Sequence, residues 1–175
     1  MSTATTTTTK WAIDPTHSEV SFKVKHLVIS TVTGYFKSFE GSVESESDDF
    51  DGANISFSAD IASITTNQSD RDNHLKSADF FNAEKYPQMS FSGILKGSTL
   101  EGELTIKDVT KTLSLDVDFG GVVEDPYGQT KAGFEIEGKI SRKEFGLLWN
   151  AVTEAGSVVV SDHVRIIVNA QVIKQ

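Results

Sequence analysis

The side chains able to do chemistry are few and scattered. Four histidines, His17, His26, His74 and His163, supply the ring nitrogens, and no two stand at a metal-ligand spacing such as i, i+4 on a helix. Asp48, Asp49 and Asp51 invite a calcium loop, but the closing position of such a loop counted from Asp49 falls on Asp60 inside a strand pattern, where a glutamate is needed. They read as a solvated turn. Ser18 and Ser141 have no neighbouring His and Asp arrangement of the triad kind, and the chain carries no G-x-S-x-G, P-loop or dinucleotide fingerprint. There is no cysteine, which excludes disulfides, thiol catalysis and thiolate metal sites. The expectation is no catalytic residue, no metal and no cofactor. Recognition chemistry is what remains. Arg71 and His74 share a helical stretch and could face the polar head of a ligand. Arg142 follows a strand and precedes Phe145-Gly146; its guanidinium offers a fork to a phosphate or a donor to a carbonyl. The plain alternatives are a hydrogen-bonded structural histidine and a surface ion pair.

The elements that must position these groups are nearly all strands. Ser18 to Val28 alternates, with Val20, Phe22, Val24, His26 and Val28 on one face and Ser21, Lys23 and Lys25 on the other. A strand over 34–46 breaks near Ser38. An acidic turn over 47–53 ends in Asp51-Gly52, a hairpin signal. The strand Asn54 to Ile61 puts Ile55, Phe57, Ala59 and Ile61 on one face. Later strands carry Met89, Phe91 and Leu95; Leu100, Leu104 and Ile106; Leu113, Leu115, Val117 and Phe119; Ala132, Phe134, Ile136 and Ile140; and Val164 through Val172 in strict alternation. Asp125-Pro126-Tyr127-Gly128 is a strong turn. One stretch departs from this period: in Asp70 to Pro87, Leu75, Ala78 and Phe81 fall at helical spacing, Ser69 and Asp72 form a weak capping box, and Pro87 bars helix beyond. The pattern predicts an all-β fold, an extended antiparallel barrel of about eight strands with one inserted α-helix. Closure at that strand number removes free edges and leaves room for one small ligand.

Composition bounds the rest. At 175 residues with 38% hydrophobic content the chain makes one domain with a real core, expected over 10–175 behind a disordered, threonine-rich lead over 1–9. A net charge of −9 disfavours a phosphate backbone, so no nucleic-acid partner is expected. No apolar run is long enough to span a membrane, so no stable membrane insertion is expected. The N-terminus has neither the basic nor the apolar region of a signal peptide; this favours the cytoplasm for the sequence as it stands, or the periplasm if a signal has been removed.

In order along the chain stand WAIDPTHSEVSFKVKHL, TVTGYF, DNHLKSADFFNAEKYP followed by MSF, GELTIKDVTKTLSLDV, ISRKEFG and SDHVRIIV. This series resembles the YceI-like family over about Trp11 to Val172. Two positions depart from the family's usual Thr-Ile-Lys-Gly-Val-Thr-Lys-Pro: Asp108 stands for the glycine and Thr112 for the proline. Both fall in a hairpin, where they change a turn.

The resemblance implies a lipocalin-like barrel that binds, stores or transports an isoprenoid lipid, a quinone or a related long amphiphile without catalysis, often as a homodimer. It also implies which residues form the lining. Phe22, Val24, Phe57 and Phe91 would face the tail, with Leu104, Ile106, Phe134 and Ile136 beside them. Leu75 and Phe81 would wall or cap the tube, Phe145 would border it, and Arg71, His74 and Arg142 would meet the head group. Phenylalanine suits such a bore because it presents apolar surface without a polar tip. From the residues alone, inward phenylalanines are ordinary barrel core, and two other functions stay open. One is an enzyme acting on an isoprenoid lipid. The other is a stress-related interaction protein whose barrel is filled by its own side chains.

Overall fold

A computed structural model describes residues 8–27, 29–47, 49–149 and 160–175. Most of the threonine-rich lead, Val28, Asp48 and the stretch that includes Val158 and Val159 lie outside the described residues. The strands are β1 (Thr9–Ile13), β2 (Glu19–His26), β3 (Ser30–Phe36), β4 (Phe39–Ser45), β5 (Asn54–Asp60) and β6 (Ile64–Thr65). The helix α1 (Ser69–Lys76) follows, then β7 (Gln88–Lys96), β8 (Thr99–Ile106), β9 (Val109–Glu124), β10 (Thr130–Ser141) and β11 (Val160–Lys174).

Every pairing is antiparallel. The order β1-β4-β5-β7-β8-β9-β10-β11 closes on itself through β1 and β11, so eight strands make the ring. The expected barrel is therefore present, and the extra strand segments have a simple origin. Three of its walls bend. The Pro15–His17 turn separates β1 from β2, yet both lie on the same edge of β11, Ala12 opposite Ile173 and Phe22 opposite Ile166. Proline at the start of that turn fixes φ, and Asp14 Oδ1 accepts from the Thr16 N–H at 3.0 Å. Lys37-Ser38 bends β3 into β4, as the sequence pattern anticipates, and Ile61–Ser63 bends β5 into β6. The result is a taller barrel on one side, with β2, β3 and β6 extending beyond the ring toward α1.

The helix is shorter than the sequence spacing predicts. It ends at Lys76, and Ala78 to Phe81 form turns, with the Phe81 N–H donating back to the Leu75 carbonyl at 3.0 Å. Its cap is also different. Gln68 is the N-cap, its Oε1 accepting from the Arg71 N–H at 2.6 Å. Asp72 reaches outside the helix instead, taking the N–H and the hydroxyl of Thr66 at 2.7 and 2.6 Å. Buried Thr66 needs these partners, and that demand outweighs the local capping box.

The β8–β9 connection is a two-residue turn, with Ile106 opposite Val109 and Lys107 at φ +58°. The sequence departure at Asp108 thus sits in a tight hairpin, away from the barrel interior.

Candidate functional site

Inward-facing residues of the strands line an apolar cavity of about 190 Å³, counted as room for the centres of water-sized spheres. Alternation sets this: β11 contributes Val164, Ile166, Val168, Ala170 and Val172, and the same phase of β8 and β9 contributes Leu100, Leu104, Ile106, Leu113, Leu115 and Val117. Phe22, Phe57, Phe91, Phe134 and Ile136 all line it, as does Phe81 from the turn after α1. Arg142 is the one charged residue among its described lining.

Glycines on the inward phase keep the bore open. Gly93 and Gly102 face each other across β7 and β8, and the Phe91 ring lies over both. Phe22 lies over Gly34 in the same way, and Leu115 over Gly138. A methyl group at Gly138 would collide with Leu115 Cδ2. Each glycine lets a large neighbour lie flat against the wall instead of crossing the centre.

One end of the cavity is an aromatic floor. Phe134 faces the cavity and meets Phe50 edge-on at 5.1 Å; Phe50 meets Trp11 at 5.0 Å and Phe119 at 5.3 Å, and Phe119 stacks on Phe134 at 5.1 Å. Phe50 comes from the acidic turn over 47–53, at φ +62°, and is fully buried between exposed Asp49 and Asp51. Sequence reasoning took this stretch as solvated and missed it; a phenylalanine inside DDFDG was the available signal.

At the other end charged and polar side chains stand within a mostly apolar wall. A second cavity is lined by Phe22, Val24, Lys25, His26 and Val32, by Thr66, Asp70, Arg71, His74 and Leu75 around α1, and by Phe80, Trp149 and Val160. Phe22 belongs to both cavities. Arg71 is half tied: its Nε donates to Thr66 Oγ1 and its Nη2 to the Thr66 carbonyl, both at 2.7 Å. The His74 Nε2 lies 2.8 Å from Asp79 Oδ2, and its ring stands edge-on to Phe80 at 5.1 Å and to Trp149 at 4.6 Å. Trp149 is a wall residue that the strand pattern gave no reason to select.

Arg142 behaves differently from a free head-group ligand. It is 3% exposed. Its Nε donates to the Ser161 carbonyl at 2.9 Å, Nη1 to Leu147 and Trp149 at 2.6 and 2.8 Å, and Nη2 to Val160 at 3.2 Å. Burial pushes its pKa down, and nearby Asp162 pushes it partly back. Four carbonyls hold it as a clamp between the strand ends. Phe145 is buried in the core but lines neither cavity. The structure thus brings Arg71 and His74 together at one cavity, places Val24 and Leu75 beside them, and turns Arg142 to a different use.

Among the described residues no group of three or more His, Asp or Glu is placed to hold a metal, and no helix is long and apolar enough to cross a membrane.

A closed antiparallel barrel with an apolar bore, an aromatic floor and a polar end is a lipocalin-like barrel. The profile of the YceI-like domain matches residues 11–172, and the chain belongs to that family. A UPF0312 protein of Staphylococcus epidermidis is 36% identical over 165 residues, covering 93% of this chain and 96% of that protein. A Staphylococcus aureus UPF0312 protein is 34% identical over the same span. Among solved structures, a YceI protein of Campylobacter jejuni superposes with a TM-score of 0.73 at 32% identity, covering 86% of this chain and 90% of that one. A polyisoprenoid-binding domain from Saccharophagus degradans shares the fold, with a TM-score of 0.72 at 12% identity over 94% of this chain and 98% of that one.

Proposed function

We propose that the barrel binds an isoprenoid lipid, a quinone or a related long amphiphile and stores or carries it without chemical change. The observation that carries this reading is the juxtaposition of two cavities that share Phe22, one almost wholly apolar, the other at the helix end with Lys25, His26, Arg71 and His74 set in its apolar wall. A tail in the first leaves its head in the second, where a phosphate or carbonyl meets donors rather than dry apolar wall. Membership of the family supports it, as does the likeness in fold to a polyisoprenoid-binding domain. The polar groups at the mouth are suited to holding rather than reacting, since Arg71, Thr66 and Asp72 are engaged with one another.

The test is mass spectrometry of the organic extract from protein purified without detergent. A long-chain amphiphile at near-stoichiometric amount is expected; an empty extract, with no uptake of added prenyl alcohol or prenyl pyrophosphate, would overturn the reading. Incubation with prenyl pyrophosphate should return it unchanged. The same reading includes a homodimer, favoured by the partly exposed Ile167 and Ile173 on the outer phase of β11. Sedimentation should give twice the chain mass of 19.1 kDa.

A further inference from the structure

We infer that the aromatic floor of Phe134 and Phe50 fixes how long an isoprenoid tail the barrel accepts. This rests on the binding function proposed above and adds a selectivity to it.

A length limit needs both ends of the ligand held, and the structure supplies both. The head is confined to the polar end because an unpaired polar group in the bore is costly. The tail runs along the inward residues of β11 from Val164 to Val172, roughly 27 Å measured along the strand, and less along the barrel axis because strands tilt. Phe134 lines the cavity near the Val172 end of that run, opposite Ala170. Behind Phe134 are Phe50 and Phe119, and beyond Phe119, 36% exposed, is solvent. A tail with one unit too many therefore has no room at the floor and must push its head out of the polar cavity. A tail with one unit too few leaves apolar wall unfilled.

The floor resists being pushed aside. Its rings interlock edge-on and stacked, and Phe50 is anchored through its backbone. The Phe50 N–H donates to the Ser47 carbonyl at 3.3 Å, and its own carbonyl accepts from the Ala53 N–H at 3.0 Å. The loop is in turn pinned to β7, with the Gly52 N–H donating to the Leu95 carbonyl at 2.7 Å and the Leu95 N–H to the Ala53 carbonyl at 3.0 Å. The bore above it, by contrast, is held open by glycines. Width and depth are set by different residues, so they can be changed separately.

The experiment offers the full-length protein an equimolar ladder of geraniol, farnesol, geranylgeraniol and solanesol and reads the bound species by native mass spectrometry. The parent should favour one rung by about tenfold over a longer one, since each unfilled or expelled isoprene unit forfeits several buried carbons. Phe134→Ala and Phe50→Ala should move the favoured rung up by at least one. Val172→Phe, which adds bulk to the lining without removing the floor, should move it down. Leu104→Ala, which widens the mid-wall, should lower occupancy and leave the favoured rung in place. Circular dichroism identifies any variant that fails to fold; if both alanine variants do, Phe50→Leu and Val172→Phe still decide the question. An unchanged favoured rung in every folded floor variant, or a parent that takes all rungs equally, overturns the length limit while leaving binding intact. A parent that takes none overturns the binding reading and the length limit with it.

Discussion

The guanidinium of Arg142 donates to the backbone carbonyl of Trp149 at 2.8 Å, so a residue lining the apolar cavity fixes the wall of the polar one. The Trp149 ring then stands against His74. The two cavities are built on a shared clamp, and a change at Arg142 is felt in both.

Arg142→Ala removes one donor from each of four backbone carbonyls. Only the contact to Leu147 is fully buried, the other three being part-buried, and leaving a buried carbonyl without its donor costs about 1–3 kcal/mol. A fall in stability of about 1–3 kcal/mol is expected in urea titration, with Arg142→Lys intermediate because an ammonium cannot reach all four. Binding of a prenyl alcohol and of a prenyl pyrophosphate should weaken to similar extents. Selective loss of the pyrophosphate would show that Arg142 meets the head group directly.

Arg71 is expected to behave in the opposite way. Its ties to Thr66 use two of its nitrogens and leave donor capacity at the cavity it lines. Arg71→Ala should weaken a prenyl pyrophosphate by roughly ten- to a hundred-fold, the range for a charge-assisted contact, and a prenyl alcohol much less. Isothermal titration of both ligands checks it, and equal losses would make Arg71 a support for Thr66 only.

Gly138→Val should narrow the bore. The new side chain takes the space occupied by Leu115 and drives that leucine toward the centre. Overpacking of this kind costs about 1–3 kcal/mol, and tail binding should fall with it. Unchanged affinity in a folded Gly138→Val protein would mean that the tail does not pass this point.

Acid stability should depend on Asp162. Its carboxylate accepts from Ser141 Oγ at 2.7 Å and from the Lys143 N–H at 3.1 Å, and the serine hydrogen bond, against some desolvation, holds its pKa below the ordinary 3.8. Asp14 is lowered likewise, chiefly by its hydrogen bond with His17. A carboxylate with a depressed folded pKa contributes stability that is fully present above 3.8 and is lost as pH falls through the folded value. Asp162→Asn should therefore lower the thermal midpoint at neutral pH, and its deficit from the parent should shrink below 3.8. A constant deficit across that window would remove the carboxylate from the account.

Strand alternation made the barrel wall legible in the sequence because a two-residue period maps directly onto inside and outside. Even the glycines that open the bore left a trace: the apolar phase skips Gly93, Gly102 and Gly138 on otherwise regular strands. Phe50 and Trp149 were not legible as parts of a site, because each lies outside the alternating strands and is placed by contacts distant in sequence. Arg142 shows the complementary difficulty. Its position beside a strand end was visible, but a guanidinium's partners depend on which carbonyls the fold leaves bare, and those of Leu147, Trp149, Val160 and Ser161 carry no mark in their side chains.

The bend at Pro15–His17 lets β1 and β2 share one edge of β11, and Ser18 Oγ donates to the Gln171 carbonyl across 153 residues of sequence. The seam of the barrel therefore joins the earliest strands to the last one. While β11 is still inside the ribosome, the remaining strands have no ring and lack an entire wall of the bore. A nascent chain at that stage has no closed bore and leaves its apolar strand faces uncovered. On the proposed function a ligand can be enclosed only after β11 has paired with β1 and β2, and the apolar strand faces stay uncovered until that seam closes.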